Sequence, residues 1–236
     1  MNKNFEIGTL EDPPHSSKYP TIGNRVFDFL RQSIIQQKLE PGFSLSEAEV
    51  AKQMGVSRQP VREAFIKLAE TGLVEIRPQR GTFVTLISQI EVENARFIRE
   101  VIEVALARRV AVVITDEDLD DLQNLIEQLK VVNTAKDFSE FLTLDQDFHV
   151  RISEIVDCRY AWKVLENLKS QIDRVRFLTL PNKPISDKVI TQHQAIVDAF
   201  STRSADLAEA AMQQHMREII DTLPSIVKAN PKLFVH

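Results

Sequence analysis

The run from Leu45 to Thr85, LSEAEVAKQMGVSRQPVREAFIKLAETGLVEIRPQRGTFVT, constrains the fold more than any other part of the chain. It predicts two short helices joined by a glycine turn, then a β-hairpin with an Arg-Gly tip. Ser46 and Glu49 make an S-x-x-E capping box, so a helix starts there and carries Val50, Ala51 and Met54 inward. Gly55 takes the positive φ that ends this helix sharply. Ser57 caps the next helix, and Pro60 falls in its first turn, where no backbone donor is lost. Val61, Ala64, Phe65 and Leu68 recur at helical spacing as its buried face, and Gly72 closes it. Leu73 to Ile76 and Thr82 to Leu86 are two short β-rich runs around Arg77-Pro78-Gln79-Arg80-Gly81.

A helix-turn-helix followed by a β-wing is a shape that fits double-stranded DNA. Arg58 and Arg62 lie four apart on one outward face, near a helix N-terminus whose N–H groups also favour phosphate. Guanidinium pairs with guanine through two parallel hydrogen bonds, or with phosphate. Two such arginines alone describe a solvated face. The ordered set of capping box, Gly55, basic helix start and basic wing tip is what points to DNA.

The segments L-S-E-A-E-V-A, G-V-S-R-Q-P-V-R-E-A-F, L-A-E-T-G-L-V and R-G-T-F-V resemble the winged-helix domain of the GntR family of bacterial transcription regulators, over about 19–86. The resemblance implies that Ser57, Arg58, Gln59 and Arg62, with Arg80 and Gly81 of the wing, contact operator DNA. Several relatives carry arginine where this chain has Ala48, which bears on the operator read.

Composition fits a two-part regulator. At 236 residues there is room for a small reader and a separate core of ordinary size. The net charge of −5 excludes a general polyanion binder. The reader's basic residues are instead local: Lys52, Arg58, Arg62, Lys67, Arg77 and Arg80. One cysteine, Cys158, excludes an internal disulfide and fits a reducing cytoplasm, the expected location. The N-terminal stretch has acids and prolines where a signal peptide needs an apolar run. Residues 1–18 read as a flexible arm, and no segment approaches a membrane span.

After Leu86 the texture changes: glycine is absent beyond Gly81 and long helical periodicity takes over. Six helices are expected, starting near Gln89, Asp116, Ala135, Arg159, Pro184 and Ser204. Thr115 and Asp118 form another capping-box signature, and Pro181 and Pro184 divide the fourth helix from the fifth. The expected fold class is mainly α: a winged helix-turn-helix followed by an all-α bundle of six or seven helices over 89–227, with a tail at 228–236. A bundle interior is a natural ligand site.

Three inward stripes carry the polar exceptions. Phe138, Leu142, Asp145, His149, Ile152 and Val156 share one; Val189, His193, Ile196 and Phe200 a second; Ala208, Ala211, His215 and Ile219 a third. Singly, an inward histidine is a satisfied core residue. Three on separate helices, with an aspartate one turn before the first, read as ligands to a divalent cation that leaves positions open. An inward aspartate with no partner would cost several kcal/mol. D-x-x-F-H at Asp145 to His149, Q-H at His193 and M-x-x-H at His215 resemble the FCD effector-binding domain of the FadR subfamily, over about 89–223. There an aspartate and three histidines hold Zn, Ni or Mn. Relatives often have Glu before the second histidine where this chain has Gln192, a position that tunes the ligand behind it.

Arg99 lies on the stripe Val92, Ala95, Arg99, Ile102, Leu106, and R-E-V-I-E resembles the subfamily's R-x-x-x-E motif. Two readings stand: a structural pair with Glu103 or Asp145, or an anchor for a carboxylate effector whose other end reaches the metal. Arg151, Arg174 and Arg176 read as surface charges, with one of the last two a possible pocket residue. Trp162 and the phenylalanines read as core.

Together these imply a homodimer placing two recognition helices on a palindromic operator, with a small organic acid as effector. Two alternatives stand beside it. The metal is purely structural, or the bundle is a metal-dependent enzyme; against the latter, no H-E-x-x-H motif occurs and Glu140 and Asp147 fall on other helix faces.

Overall fold

The computed structural model describes residues 21–235. The arm expected over 1–18 lies outside the described residues. The chain divides into two compact units, one reaching Ile87 and rejoined by Val235, the other running from Ser88 to Phe234.

The first unit comprises α1 (Ile22–Ile35), β1 (Ser44–Leu45), α2 (Glu47–Met54), α3 (Arg58–Glu70), β2 (Val74–Arg77) and β3 (Gly81–Val84). Helix α1 was not anticipated, although Thr21 caps it and Val26, Leu30 and Ile34 repeat every four residues on its buried face. Strand β1 is only two residues long, too short to leave an alternation in the sequence; it adds to β3 to give the antiparallel order β1-β3-β2. Val26, Leu30, Val61, Phe65, Leu68 and Leu73 form the centre of this unit's core.

Local chemistry follows the sequence with two corrections. The Ser46 hydroxyl accepts from the Glu49 N–H at 3.4 Å, but the Glu49 carboxylate accepts from Gln53 instead of turning back, so the capping box is half made. Ser57 holds the N-cap position of α3 without a side-chain capping bond. Gly55 and Gly72 are left-handed, at φ 67° and 71°, as the helix ends they follow require. At the wing tip Gln79 and Gly81 both have positive φ.

The second unit is seven helices: α4 (Gln89–Val113), α5 (Asp116–Ala135), α6 (Phe138–Ile155), α7 (Arg159–Leu168), α8 (Ser170–Thr179), α9 (Lys183–Ser201) and α10 (Ala205–Ala229). The helix expected from Arg159 is thus two, broken at Lys169, with no proline or glycine there to announce it. Helix α6 starts at Phe138 under an Asp137 cap rather than near Ala135, because α5 runs that far and Lys136 turns left-handed to end it. The Thr115–Asp118 box is complete in both directions. Phe141, Phe148, Ile152, Ile196, Phe200 and Met212 pack the centre of the bundle. No helix among the described residues is long and apolar enough to cross a membrane.

Candidate metal centre and DNA-reading face

In the bundle, α6 supplies Asp145 and His149, α9 supplies His193 and α10 supplies His215, all buried. One ligand atom from each lies within 4.8 Å of the others. The His215 Nε2 is 3.2 Å from His149 Nε2 and 3.3 Å from His193 Nε2, and His193 Nε2 is 3.4 Å from Asp145 Oδ1. The aspartate and histidine of α6 meet because they are one helical turn apart on the same stripe.

The tautomers explain why these nitrogens need something between them. His149 Nδ1 faces the Glu103 carboxylate, and His215 Nδ1 donates to Gln192 Oε1 at 3.2 Å. With both rings in the Nδ1–H tautomer that these partners favour, each presents a lone pair at Nε2, and two lone pairs cannot bond each other. A tetrahedral ion with metal–nitrogen bonds of about 2.0–2.1 Å separates its nitrogens by roughly 3.3 Å, the spacing found here. The donor set of three imidazoles and a carboxylate fits a divalent cation.

The electrostatics hold His193 and His215 neutral and Asp145 ionised. Burial drives His193 down to about 3, and drives His215 well below the usual histidine range, helped by the neighbouring rings. Burial alone would raise Glu103, but Arg99 and His149 outweigh it and hold its carboxyl at about 2. Asp145 is likewise held well below the carboxylate range despite its burial, chiefly by Arg176. Gln192 is fixed in turn: its Nε2 donates to Glu218, which also binds Lys188.

Arg176 is not a surface charge but a cavity residue, the role left open for it or Arg174. It is nearly buried and grips both oxygens of Asp145. The signal was present, since Ile172, Arg176 and Leu180 recur every four residues and all face inward. Arg174 is fully buried, with Gln171 Oε1 3.3 Å from its guanidinium, and burial lowers it to about 10. Neither is a surface charge. Arg151 does sit at the surface side, binding Asp118 and Asp121. Arg99 is buried and pairs with Glu103, one of the two partners expected for it, and so steadies His149 from behind.

Beside these four side chains lies a cavity that opens in part to solvent. Arg96, Arg99, Arg176 and His215 line one part of it, and side chains from α8, α9 and α10 line the rest.

In the first unit Ser57, Arg58, Gln59 and Arg62 are all exposed around the first turns of α3, and Arg80 and Gly81 are exposed at the wing. Arg62 makes no ion pair among the described residues, whereas Arg58 binds Glu47 at 3.1 Å across the turn and Gln59 binds Glu63. Arg77 is engaged locally by Glu75 and lies over the Phe83 ring, leaving Arg80 as the outward charge of the tip.

A winged helix-turn-helix with a helical bundle around a buried Asp/His cluster is the architecture of a transcription regulator. Residues 22–84 match the bacterial regulatory proteins of the gntR family, and residues 95–218 match the FCD domain. The chain belongs to the GntR family and carries an FCD domain. It is 41% identical to the HTH-type transcriptional repressor RspR of Escherichia coli (strain K12) over 213 residues, covering 90% of this chain and 93% of that one. It is 32% identical to a probable D-xylose utilization operon transcriptional repressor of Paenarthrobacter nicotinovorans, over 83% of this chain and 86% of the relative. Its fold superimposes on that of E. coli McbR/YncC with a TM-score of 0.76 at 19% identity, over 88% of this chain and 99% of the other.

Proposed function

We propose that this protein is a repressor that binds operator DNA as a homodimer and releases it when a small organic acid binds beside a divalent metal in the FCD domain. The observation that carries the ligand half is the convergence of Asp145, His149, His193 and His215, with two imidazole lone pairs aimed at each other and an arginine-lined cavity alongside. The metal would be held by these four residues, with Zn, Ni or Mn all compatible, and would supply a fixed positive charge at the end of the cavity. Arg99 and Arg176 add guanidinium to the same end. This favours an anionic ligand and a regulatory rather than purely structural ion.

Repression as the mode of action is supported by the names of the relatives. A site without a free base beside the metal is what a sensor needs and an enzyme does not: Glu103 and Asp145 are both tied up by arginine. Dimerisation is supported by α4, where Ile90, Phe97, Val101 and Val112 are all more than half exposed. At about 100° per residue these four fall within an arc of roughly 60°, an apolar stripe that a second copy would cover.

For DNA, the bare Arg62 and the exposed start of α3 support base or phosphate contact in the major groove, with Arg80 on the backbone from the wing. Arg58 reaches DNA only by leaving Glu47, a surface pair worth about 0–1 kcal/mol and therefore easily exchanged. The test is an operator selected from random duplex DNA, titrated with wild type and Arg62→Ala at one fixed salt concentration. A loss of about 1–3 kcal/mol is expected, and unchanged affinity would remove Arg62 from the interface.

A further inference from the structure

The walls of the cavity say more about the acid than the metal does. Six of its lining residues, Ile172, Leu180, Ile185, Val189, Met216 and Ile219, present hydrocarbon. The two hydroxyls among the lining residues already direct their O–H groups to their own helices. Thr179 donates to the Arg176 carbonyl at 2.8 Å, and Thr222 to the carbonyls of Glu218 and Ile219 at 3.2 and 3.1 Å. The one lining carboxylate, Glu218, takes both Lys188 and Gln192 on a single oxygen, Oε2. Polar anchorage is confined to the arginine and histidine side chains and the second oxygen of Glu218, too few partners for a chain of hydroxyls.

Charge points the same way. The arginines of the cavity each have a carboxylate: Arg96 with Glu100, Arg99 with Glu103, Arg176 with Asp145. These pairs sum to zero, so a divalent ion placed among the four ligands leaves positive charge in a buried place. An anion offsets it.

We infer that the effector of this site is a carboxylate with a short hydrocarbon body, its head toward His215, Arg99 and Arg176 and its chain against the aliphatic wall, rather than a polyhydroxylated acid. This rests on the proposal above that the cavity is an effector site. A sugar acid would bury several hydroxyls against carbon, and each one left unpaired lowers affinity by about tenfold. Each added methylene, by contrast, tightens binding by about fourfold until the wall is covered.

The experiment is calorimetric titration of the full-length protein, as purified and after addition of Zn²⁺, with acetate, butyrate, hexanoate and gluconate. Affinity is expected to climb from acetate to hexanoate, and hexanoate is expected to bind at least tenfold more tightly than gluconate. Ile219→Thr, at a half-buried position, should weaken hexanoate several-fold and leave acetate unchanged. Gluconate binding as tightly as hexanoate, or an affinity flat from acetate to hexanoate, would overturn the inference while leaving an effector site in place. Binding of none of the four acids, with or without Zn²⁺, would overturn the effector site itself.

Discussion

Arg176 holds Asp145 through both carboxylate oxygens, one Nη on each, and the same arginine lines the cavity. One side chain thus neutralises the carboxylate of the buried Asp/His cluster and faces the space an anionic ligand would fill. Asp145 is fully buried, so without a cation its charge depends on this clamp.

Arg176→Gln should therefore be costly in chelator and much less so with metal. Removing one member of a buried pair destabilises by about 3–5 kcal/mol, because the other charge is stranded. A divalent ion bound to Asp145 would take over the compensation. Melting curves of the variant in chelator and in Zn²⁺ check this. An equal loss in both conditions would mean that no cation reaches Asp145.

Gln192 is expected to matter for metal rather than for folding. Its Oε1 fixes the tautomer of His215, and a lost outer-shell acceptor typically weakens metal binding about 10–100-fold. Gln192→Ala should show that loss in competition with a chromophoric chelator. Gln192→Glu should recover it, since the carboxylate accepts the same Nδ1–H. Wild-type metal affinity in Gln192→Ala would remove the residue from the site's support.

The reader domain and the Asp145–His149 pair could be read from the chain because each is written in short-range spacing, while His193 and His215 showed as polar exceptions on their own inward stripes. Ser46, Gly55 and Ser57 mark turns, while Asp145 and His149 are one helical turn apart. Glu103 and Arg176 were harder, since their roles depend on which helices become neighbours. Arg176 in particular lies on α8, separated from α7 only by a break at Lys169 that has no proline or glycine. Without that break the register of the inward face is lost, and a buried guanidinium looks like a surface charge. The two-residue β1 exists only through its pairing with β3 and has no signature of its own.

Stability in chelator should fall as pH drops below neutrality. In the unfolded chain His193 and His215 take up protons near 6.5, whereas the folded chain holds His193 down to about 3 and His215 well below its usual range. Between about pH 3 and 6.5 the unfolded state binds more protons, so stability rises with pH across that window. Each histidine contributes on the order of 1 kcal/mol per pH unit. Below about pH 4.5 Glu103, held at about 2, and Asp145 steepen the loss, because their depressed values mean stability present above the unfolded pKa and lost below it. Urea midpoints from pH 7.5 to 4 in chelator give the slope, and His193→Gln should flatten its upper part. A wild-type midpoint flat between pH 7 and 5 would contradict the buried, neutral state of the rings.

In the proposed function, acid and metal in the bundle control the grip of the winged helix on DNA. This control is tested most directly by one affinity measured four ways: a selected operator titrated with Zn²⁺-loaded and chelated protein, each with and without a saturating carboxylate. Coupling of about 1–3 kcal/mol corresponds to roughly 5–150-fold. Adding the acid to the metal-loaded protein should change the affinity at least fivefold, and adding it in chelator should leave it unchanged. The same dissociation constant in all four mixtures would contradict it.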